Sequence, residues 1–459
     1  MTAAGCNTVS RVLIANRGEI AMRIVRACRE LGLGSVVCCS DVDRGGLAAR
    51  GADRAVCIGP GPASRSYLRP ELVVQAALGT GCDAIHPGYG FLSESPRLAA
   101  LARGHGLVFV GPPSEVLELA GDKLRARAEA ARVGLPVLPG AGVQSAPEAR
   151  EVAERIGYPV LVKAAGGGGG RGIKLAHDGE ELAALLGLAR SEAGAAFGDE
   201  RVYVERFIAS ARHIEVQVAA DDHGSVIHLG ERDCSVQRRY QKMVEEAPAP
   251  SLAASVREAL TTAAVHFARA ISYRNLGTVE FVLDTTSNDF YFLEMNCRIQ
   301  VEHPVTEAVT GCDLVCEQLR IAGGAPLSRS QSDVTFAGHA VECRLTAEDA
   351  AAGFRPSPGT ISRFSVPSLP GLRVDTHCED GTLVPPFYDS LLAKLIAHGR
   401  DRAEAIEILL EALGRTNIDG VCTNRELLRR VLARSEFATG AVTTGWLEYV
   451  LSDLQEALA

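Results

Sequence analysis

Two short apolar stretches, TVEFVLD (278–284) and FYFLEMN (290–296), flank the turn-forming run TTSND and read as a β-hairpin. Pairing 284 with 290 brings Glu280 opposite Glu294, with Cβ atoms about 4.5–5.5 Å apart. Two facing carboxylates repel each other unless a cation lies between them. Asn296 falls on the same face, so Glu280, Glu294 and Asn296 form a set of hard oxygen donors of the kind that suits Mg²⁺. This expectation hangs on the register, because a slip of one residue turns every side chain to the other face. Downstream, EMNCRIQVEHP alternates strictly: Glu294, Asn296, Arg298, Gln300 and Glu302 on one face, Met295, Cys297, Ile299 and Val301 on the other. Arg298 can grip an anion with its guanidinium fork, and Glu302 can accept a proton. His303-Pro304 is expected to end the strand.

A second chemical signal is LVKAAGGGGGRGIK (161–174), with glycines from Gly166 to Gly170 between two strand-like flanks. A plain hairpin turns on two residues, so five glycines ask for another reason. Bare backbone lets successive N–H groups approach an anion, and Lys163, Arg171 and Lys174 stand at the mouths of the loop. A cover over phosphates fits better than a linker, which would be longer and rich in serine. Neither G-x-x-x-x-G-K-[ST] nor a strand–G-x-G-x-x-G–helix unit is present. The basic run ERDCSVQRRYQK, with Arg232, Arg238, Arg239 and Lys242, reads as a solvated loop as readily as a binding segment.

These groups need a scaffold, and 459 residues imply about three domains. Strand RVLIA, turn NRGE, a helix with Ile20, Ile24, Ala27 and Leu31 at helical spacing, and strand SVVCC open an α/β domain with a parallel sheet. It includes DAIHPG, a helix near 94–104 and LVFVGP, and ends near 115. A helix beginning near Asp122 leads into a small α/β lid, about 138–209, backed by a helix over 179–192. Strands then dominate to 330, interrupted by a helix at 251–271. A third unit over 338–445 is α+β, with strands near 339–345 and 360–365 and helices near 389–397 and 401–414.

Net charge is −9, which argues against a general nucleic-acid or anionic-membrane surface. No apolar run approaches the ~18 residues of a membrane span, and no secretory h-region follows the start. Thirteen scattered cysteines without a C-x-x-C pair read as reduced thiols of a cytoplasmic protein.

The strings IANRGEIAMRI, IHPGYGFLSE, GDK, VKAAGGGGGRGI, RHIEVQV, ERDCSVQRR, EEAPAP, FLEMNCRIQVEHPVTE, HAVECR and PPFYDS occur in this order. Together they resemble the biotin carboxylases of the ATP-grasp superfamily over essentially the whole chain. The resemblance implies a Rossmann-like N-terminal domain (1–115), an ATP-grasp domain with a mobile glycine-rich lid (116–330) and a C-terminal α+β domain. It implies an ATP-dependent ligase using Mg²⁺ or Mn²⁺, two ions in all, that carboxylates carrier-bound biotin with bicarbonate through carboxyphosphate. Carried over residue by residue, it makes Lys123, Lys163, Gly169 and Gly170 contacts to the phosphates and base of ATP. Glu205, Arg206, Phe207 and Ile208 become the adenine hinge, with His213, Gln237 and Tyr240 also at the nucleotide. The metal ligands are again Glu280, Glu294 and Asn296. Lys242, Arg298, Gln300 and the Val301 backbone match the bicarbonate pocket, and Glu302 matches the base. Arg344 matches the residue that stabilises the biotin enolate, and Tyr89 a biotin-site residue.

Tyr240 stands where familiar members carry histidine, and Arg206 where they carry lysine. The implied homodimer lacks the contact phenylalanine expected before Arg373. No Met-Lys-Met biotinylation signature closes the chain, so a separate biotin carboxyl carrier protein and a separate carboxyltransferase are expected, as in acetyl-CoA carboxylase and fatty acid biosynthesis. The alternatives are the same half-reaction serving another acyl-CoA carboxylase, or a non-catalytic assembly protein that kept the ATP-grasp fold.

Overall fold

In a computed structural model of the chain, residues 9–166 and 172–456 are described. Near-continuous apolar runs form the first sheet, as expected for parallel strands covered on both faces. Its strands are β1 (Arg11–Ile14), β2 (Gly34–Ser40), β3 (Arg54–Gly59), β4 (Ala84–His86) and β5 (Val108–Phe109). They lie in the order β3-β2-β1-β4-β5, all pairs parallel. The helix Gly18–Glu30 buries Ile20, Ile24 and Ala27 against this sheet. Two of the quoted strings meet at the strand ends: Asn16 Nδ2 donates to the Pro87 and Tyr89 carbonyls, each at 2.7 Å. Between them Gly88 has φ +64°, and a Cβ there would stand 2.8 Å from that same Nδ2, so no larger residue fits.

The lid is a separate sheet of β6 (Gly140–Val143), β7 (Val160–Ala164), β8 (Lys174–Ala176) and β9 (Val202–Arg206), in the order β6-β9-β7-β8 and antiparallel throughout. The helices Ala146–Ile156 and Gly179–Phe197 cover one face, the second running past the expected end at 192. Gly169, Gly170 and Arg171 lie outside the described residues. The first limb of the glycine loop is stitched to the helix Lys123–Arg132: Gly166 bridges Asp122, and the Lys123 N–H donates to the Ala165 carbonyl at 2.9 Å.

The largest sheet joins the middle and the C-terminal parts of the chain. Its strands are β10 (Ala211–Ala220), β11 (Val226–Arg238), β12 (Gln241–Ala247), β13 (Asn275–Asp284), β14 (Phe290–Asn296), β15 (His339–Thr346), β16 (Leu372–Thr376) and β17 (Leu391–Gly399). The order is β14-β13-β10-β11-β12-β15-β17-β16, all antiparallel.

Three expectations need correction. Residues 391–399, read as a helix near 389–397, are a central strand between β15 and β16. LLAKLIAHG is buried on both faces, which erases the alternation that marks a strand. The run ERDCSVQRRYQK is not a solvated loop: it forms most of the β11–β12 hairpin, buried over 231–237 and exposed only at its tip, where it turns at Arg239 and Tyr240 with φ +48° and +64°. The third is the strand through Glu302, which ends at Asn296. Pro304 sits in the first turn of the helix His303–Thr310, where its missing N–H costs nothing, so it opens a helix as well as closing the extended segment.

Candidate active site

At the tip of the β13–β14 hairpin Leu283 pairs with Phe290, one residue short of the register read from the sequence. An extra residue at Leu293 restores it, so that Phe281 pairs with Phe292 but Glu280 pairs with Glu294. The bulge lets the fully buried Phe281 and Phe292 rings pack edge to face while both carboxylates project from the opposite face. Glu280 is buried and richly bonded: Oε1 accepts from Lys242 Nζ and Asn296 Nδ2, each at 2.8 Å, and from Gln300 Nε2 at 3.3 Å. His213 Nε2 stands 3.0 Å from its Oε2. Glu294 turns to Lys123, 2.7 Å away, and is 21% exposed, so this end opens to solvent.

Lys242 is the hub. Its buried ammonium donates to Glu215 at 2.6 Å and to Glu280 and Glu302 at 2.8 Å each. The β11–β12 turn places Gln237 as its cross-strand partner, and Gln237 Nε2 lies 2.9 Å from His213 Nδ1. Arg232 is wholly buried behind the hub, bonded to Glu215, Gln217, Thr278 and Thr306. Glu302 is shared: Oε1 accepts from Lys242, and Oε2 from Arg344 at 2.8 Å. The other arm of Arg344 donates from Nε to Glu245 at 2.5 Å.

Beyond Asn296 the polar-apolar alternation persists without a ladder. Arg298 donates to Asn296 Oδ1 at 3.0 Å, to Gln300 Oε1 at 2.7 Å and to Glu94 Oε2 at 3.0 Å. The Val301 carbonyl accepts from Lys394 at 2.8 Å. Lys242, His213, Gln237, Glu280, Asn296, Arg298, Gln300, Glu302 and Arg344 thus form one connected polar network.

Most of the remaining residues that the resemblance assigns to the nucleotide lie around Glu205. This fully buried carboxylate pairs with Lys163 and accepts from Arg127 at 2.8 Å. Arg206 is exposed; its N–H donates to the Pro139 carbonyl at 2.9 Å, and that of Phe207 to Pro159 at 3.3 Å. Ile208 packs with Leu138 and Ala211 at the lid's root. Tyr240, 45% exposed, stands at the hairpin tip. Lys174 is engaged elsewhere, 3.0 Å from Glu192 on the lid helix. Tyr89 is separate from the hub, its hydroxyl bonded to Glu19 at a cavity of about 120 Å³.

Burial and neighbouring charge set the ionisation of this network. For Glu280, burial favours the neutral acid, but Lys242 and His213 outweigh it and hold the carboxyl well below its ordinary range. Glu302 behaves alike, with Lys242, Arg344 and Arg232 overriding burial. Burial wins at Glu215, which is pushed up despite Arg232 and Lys242, and at Glu245, pushed up to about 7 despite Arg344. Lys242 would lose its proton to burial were it not for Glu215, Glu280 and Glu302, which raise it well above the usual lysine value.

The description "Biotin carboxylase, N-terminal domain" fits residues 8–117, "Carbamoyl-phosphate synthase L chain, ATP binding domain" fits 122–330, and "Biotin carboxylase C-terminal domain" fits 342–449. A protein of Nostoc sp. named biotin carboxylase is 49% identical over 440 residues, covering 95% of this chain and 98% of its own. The chain belongs to the biotin carboxylase family. Within that family, a protein of Pseudomonas aeruginosa also named biotin carboxylase is 48% identical, over 96% of this chain and 98% of its own. The biotin carboxylase domain dimer of Hydrogenobacter thermophilus 2-oxoglutarate carboxylase, solved with MgADP, ADP and bicarbonate, superposes with a TM-score of 0.94 at 44% identity. That match covers 98% of this chain and 99% of the other.

Several residues of the network escaped the sequence reading. Glu94, Glu215, Glu245 and Glu19 all lie inside the quoted family strings, so the signal was present but carried no role; Arg232 was noted only as one charge of the basic run. Lys394 had no signal, because it sits in the run read as a helix. Among the described residues, those able to hold a metal as a group include the buried His213, Glu215 and Glu280.

Proposed function

We propose that this chain carboxylates biotin at the expense of ATP, with bicarbonate as carbon source, Mg²⁺ as metal and the roles assigned below. The observation that carries this reading is Glu302, a buried ionised carboxylate held between Lys242 and Arg344 beside the Glu280–Asn296–Gln300–Arg298 chain.

Glu280 and Glu294 are hard oxygen donors in register on neighbouring strands, with Asn296 adjacent, and this donor set fits Mg²⁺. An ion held there would neutralise and align the phosphate oxygens of ATP. Lys123, Lys163 and the glycine loop around Gly169 and Gly170 hold the phosphates. The end of lid strand β9 and the segment after it, Glu205, Arg206, Phe207 and Ile208, hold the base, with His213, Gln237 and Tyr240 nearby. Arg298, Gln300, Lys242 and the Val301 backbone fix bicarbonate so that its oxygen attacks the γ-phosphorus as the bond to ADP breaks. The bicarbonate proton passes to Glu302. Each cation that turns from Glu302 to the substrate anion raises that carboxylate's affinity for the proton, which suits a base that rests fully charged. Carboxyphosphate releases CO₂ and phosphate; the phosphate removes the N1′ proton of biotin, and Arg344 stabilises the enolate that attacks CO₂. Arg344 keeps its own proton throughout, as a guanidinium does. The closing lid keeps water from hydrolysing carboxyphosphate.

The domains follow the limits 1–115, 116–330 and 338–445, with the lid over 138–209. The chain works with a separate carrier protein and carboxyltransferase, as a homodimer in the acetyl-CoA carboxylase setting. The acyl acceptor is the transferase's choice, since the carboxyl group leaves this site on biotin. None of the described helices is long and apolar enough to cross a membrane, and every described cysteine is free, which supports a cytoplasmic enzyme. The test is phosphate release from ATP with and without bicarbonate and free biotin. Release should require bicarbonate and rise with biotin; release indifferent to both would overturn the reading.

A further inference from the structure

Strand β17 carries Lys394 into the interior as the cross-strand partner of Arg344. Lys394 is wholly buried, and its shortest contact is to no carboxylate: it donates to the Val301 carbonyl at 2.8 Å. Glu19 Oε1 lies 3.2 Å away and Asp375 Oδ2 3.9 Å away. Asp375 is already satisfied by two bonds from Arg373, at 3.0 and 2.7 Å, so Glu19 is the counter-ion that depends on Lys394. That same Glu19 oxygen accepts the Tyr89 hydroxyl at the edge of the cavity lined by Asn16, Phe91, His377 and Asp389. Glu342, also on β15, is wholly buried with neither side-chain oxygen bonded; burial pushes it far up, so it sits near Lys394 as a neutral acid. Glu19 and Asp375 hold Lys394 protonated against its burial.

A buried lysine that only cancels one carboxylate needs no bond to a main-chain carbonyl. Here the carbonyl belongs to the residue immediately before Glu302, in the segment that begins with Gln300. We propose that Lys394 is a positioning residue that couples the two ends of the reaction. Its ammonium fixes the Val301 carbonyl, and with it the Gln300–Glu302 segment that addresses bicarbonate. Through Glu19 it also holds Tyr89 on the biotin side. This rests on the site reading given above. A guest that moves Tyr89 thereby pulls on the bicarbonate segment through two hydrogen bonds and the Lys394–Glu19 ion pair between them, and the reverse holds equally.

The test uses the full chain and steady-state phosphate release at saturating ATP, with bicarbonate and free biotin varied. Lys394→Met should raise KM for bicarbonate and lower the biotin-dependent kcat by about 10- to 100-fold, the loss typical when a supporting contact of a site is removed. Lys394→Arg should recover part of both. Glu19→Gln leaves the Val301 bond in place, so it should lower the biotin-dependent kcat while KM for bicarbonate without biotin stays at the wild-type value. Wild-type constants in a folded Lys394→Met protein would overturn the inference. So would a Glu19→Gln protein that raises KM for bicarbonate as much as Lys394→Met does, since the ammonium would then be a structural counter-ion only. Should Lys394→Met fail to fold, Glu19→Gln decides alone, and an unchanged biotin dependence refutes the coupling. A wild-type protein whose phosphate release ignores bicarbonate overturns the site reading, and the coupling with it.

Discussion

Replacing Arg344 by alanine separates its two duties. The guanidinium holds Glu302 at 2.8 Å and Glu245 at 2.5 Å, with only 19% of the side chain exposed. Breaking a buried ion pair from one side costs about 3–5 kcal/mol, because the remaining charge stays buried. Here the loss falls near the lower limit, about 3 kcal/mol. Glu245 titrates at about 7 and escapes the penalty by taking up a proton, and Glu302 keeps its bond to Lys242. The protein therefore stays folded, with a lower Tm. The kinetic loss is separate. Removing a donor that stabilises a developing oxyanion lowers kcat by about 10²–10³, or about 2.7–4 kcal/mol. The assay is biotin-dependent phosphate release at saturating ATP and bicarbonate, with Arg344→Lys beside Arg344→Ala. Lysine returns the charge but not the two-armed fork, so it should regain only part of the rate. Equal biotin-dependent rates for wild type and Arg344→Ala would refute the role given to Arg344.

Glu302→Gln should lower bicarbonate-dependent phosphate release by about 10²–10⁴, the usual worth of a general base, while nucleotide binding measured by calorimetry is retained. Tyr240→His should change KM for ATP by about two- to tenfold, the span of one ordinary hydrogen bond, with kcat unchanged. Stability should also report the buried acids. Glu245 is raised from its ordinary 4.5 to about 7, so its contribution is complete below pH 4.5 and is lost as pH rises through about 7. The stability of wild type relative to Glu245→Gln should therefore shrink by about 3 kcal/mol across that window in denaturant titrations. Glu280 and Glu302 act in the opposite sense: their contribution is present above 4.5 and lost as pH falls through their depressed values.

Much of this site was legible because chemistry leaves short-range marks. Like-charged residues facing each other and a polar-apolar alternation are local patterns, and both led to residues that the fold gathers; of the glycine-run residues, Lys163 pairs with Glu205 and Lys174 turns to Glu192. The hairpin shows the limits of counting. Glu280 and Glu294 do face each other, but only because a bulge at Leu293 corrects a tip register that differs by one residue from the reading. The two charges that grip Glu302 were beyond local reach. Lys242 comes from a hairpin whose own sequence reads as solvated loop as readily as binding segment, and Arg344 from a strand that joins the sheet beside β12. Such pairing over some hundred residues has no signature in either segment. Strand β17 was misread for a related reason, since burial of both faces removes the periodicity that would have identified it, and Lys394 was hidden with it.

The most direct measurement follows oxygen. With bicarbonate labelled by ¹⁸O, ATP and free biotin, attack of a bicarbonate oxygen on the γ-phosphorus must leave one labelled oxygen in each phosphate released alongside carboxybiotin. Phosphate carrying that label is the predicted result. Phosphate whose added oxygen comes from water, while carboxybiotin still forms, would contradict the account.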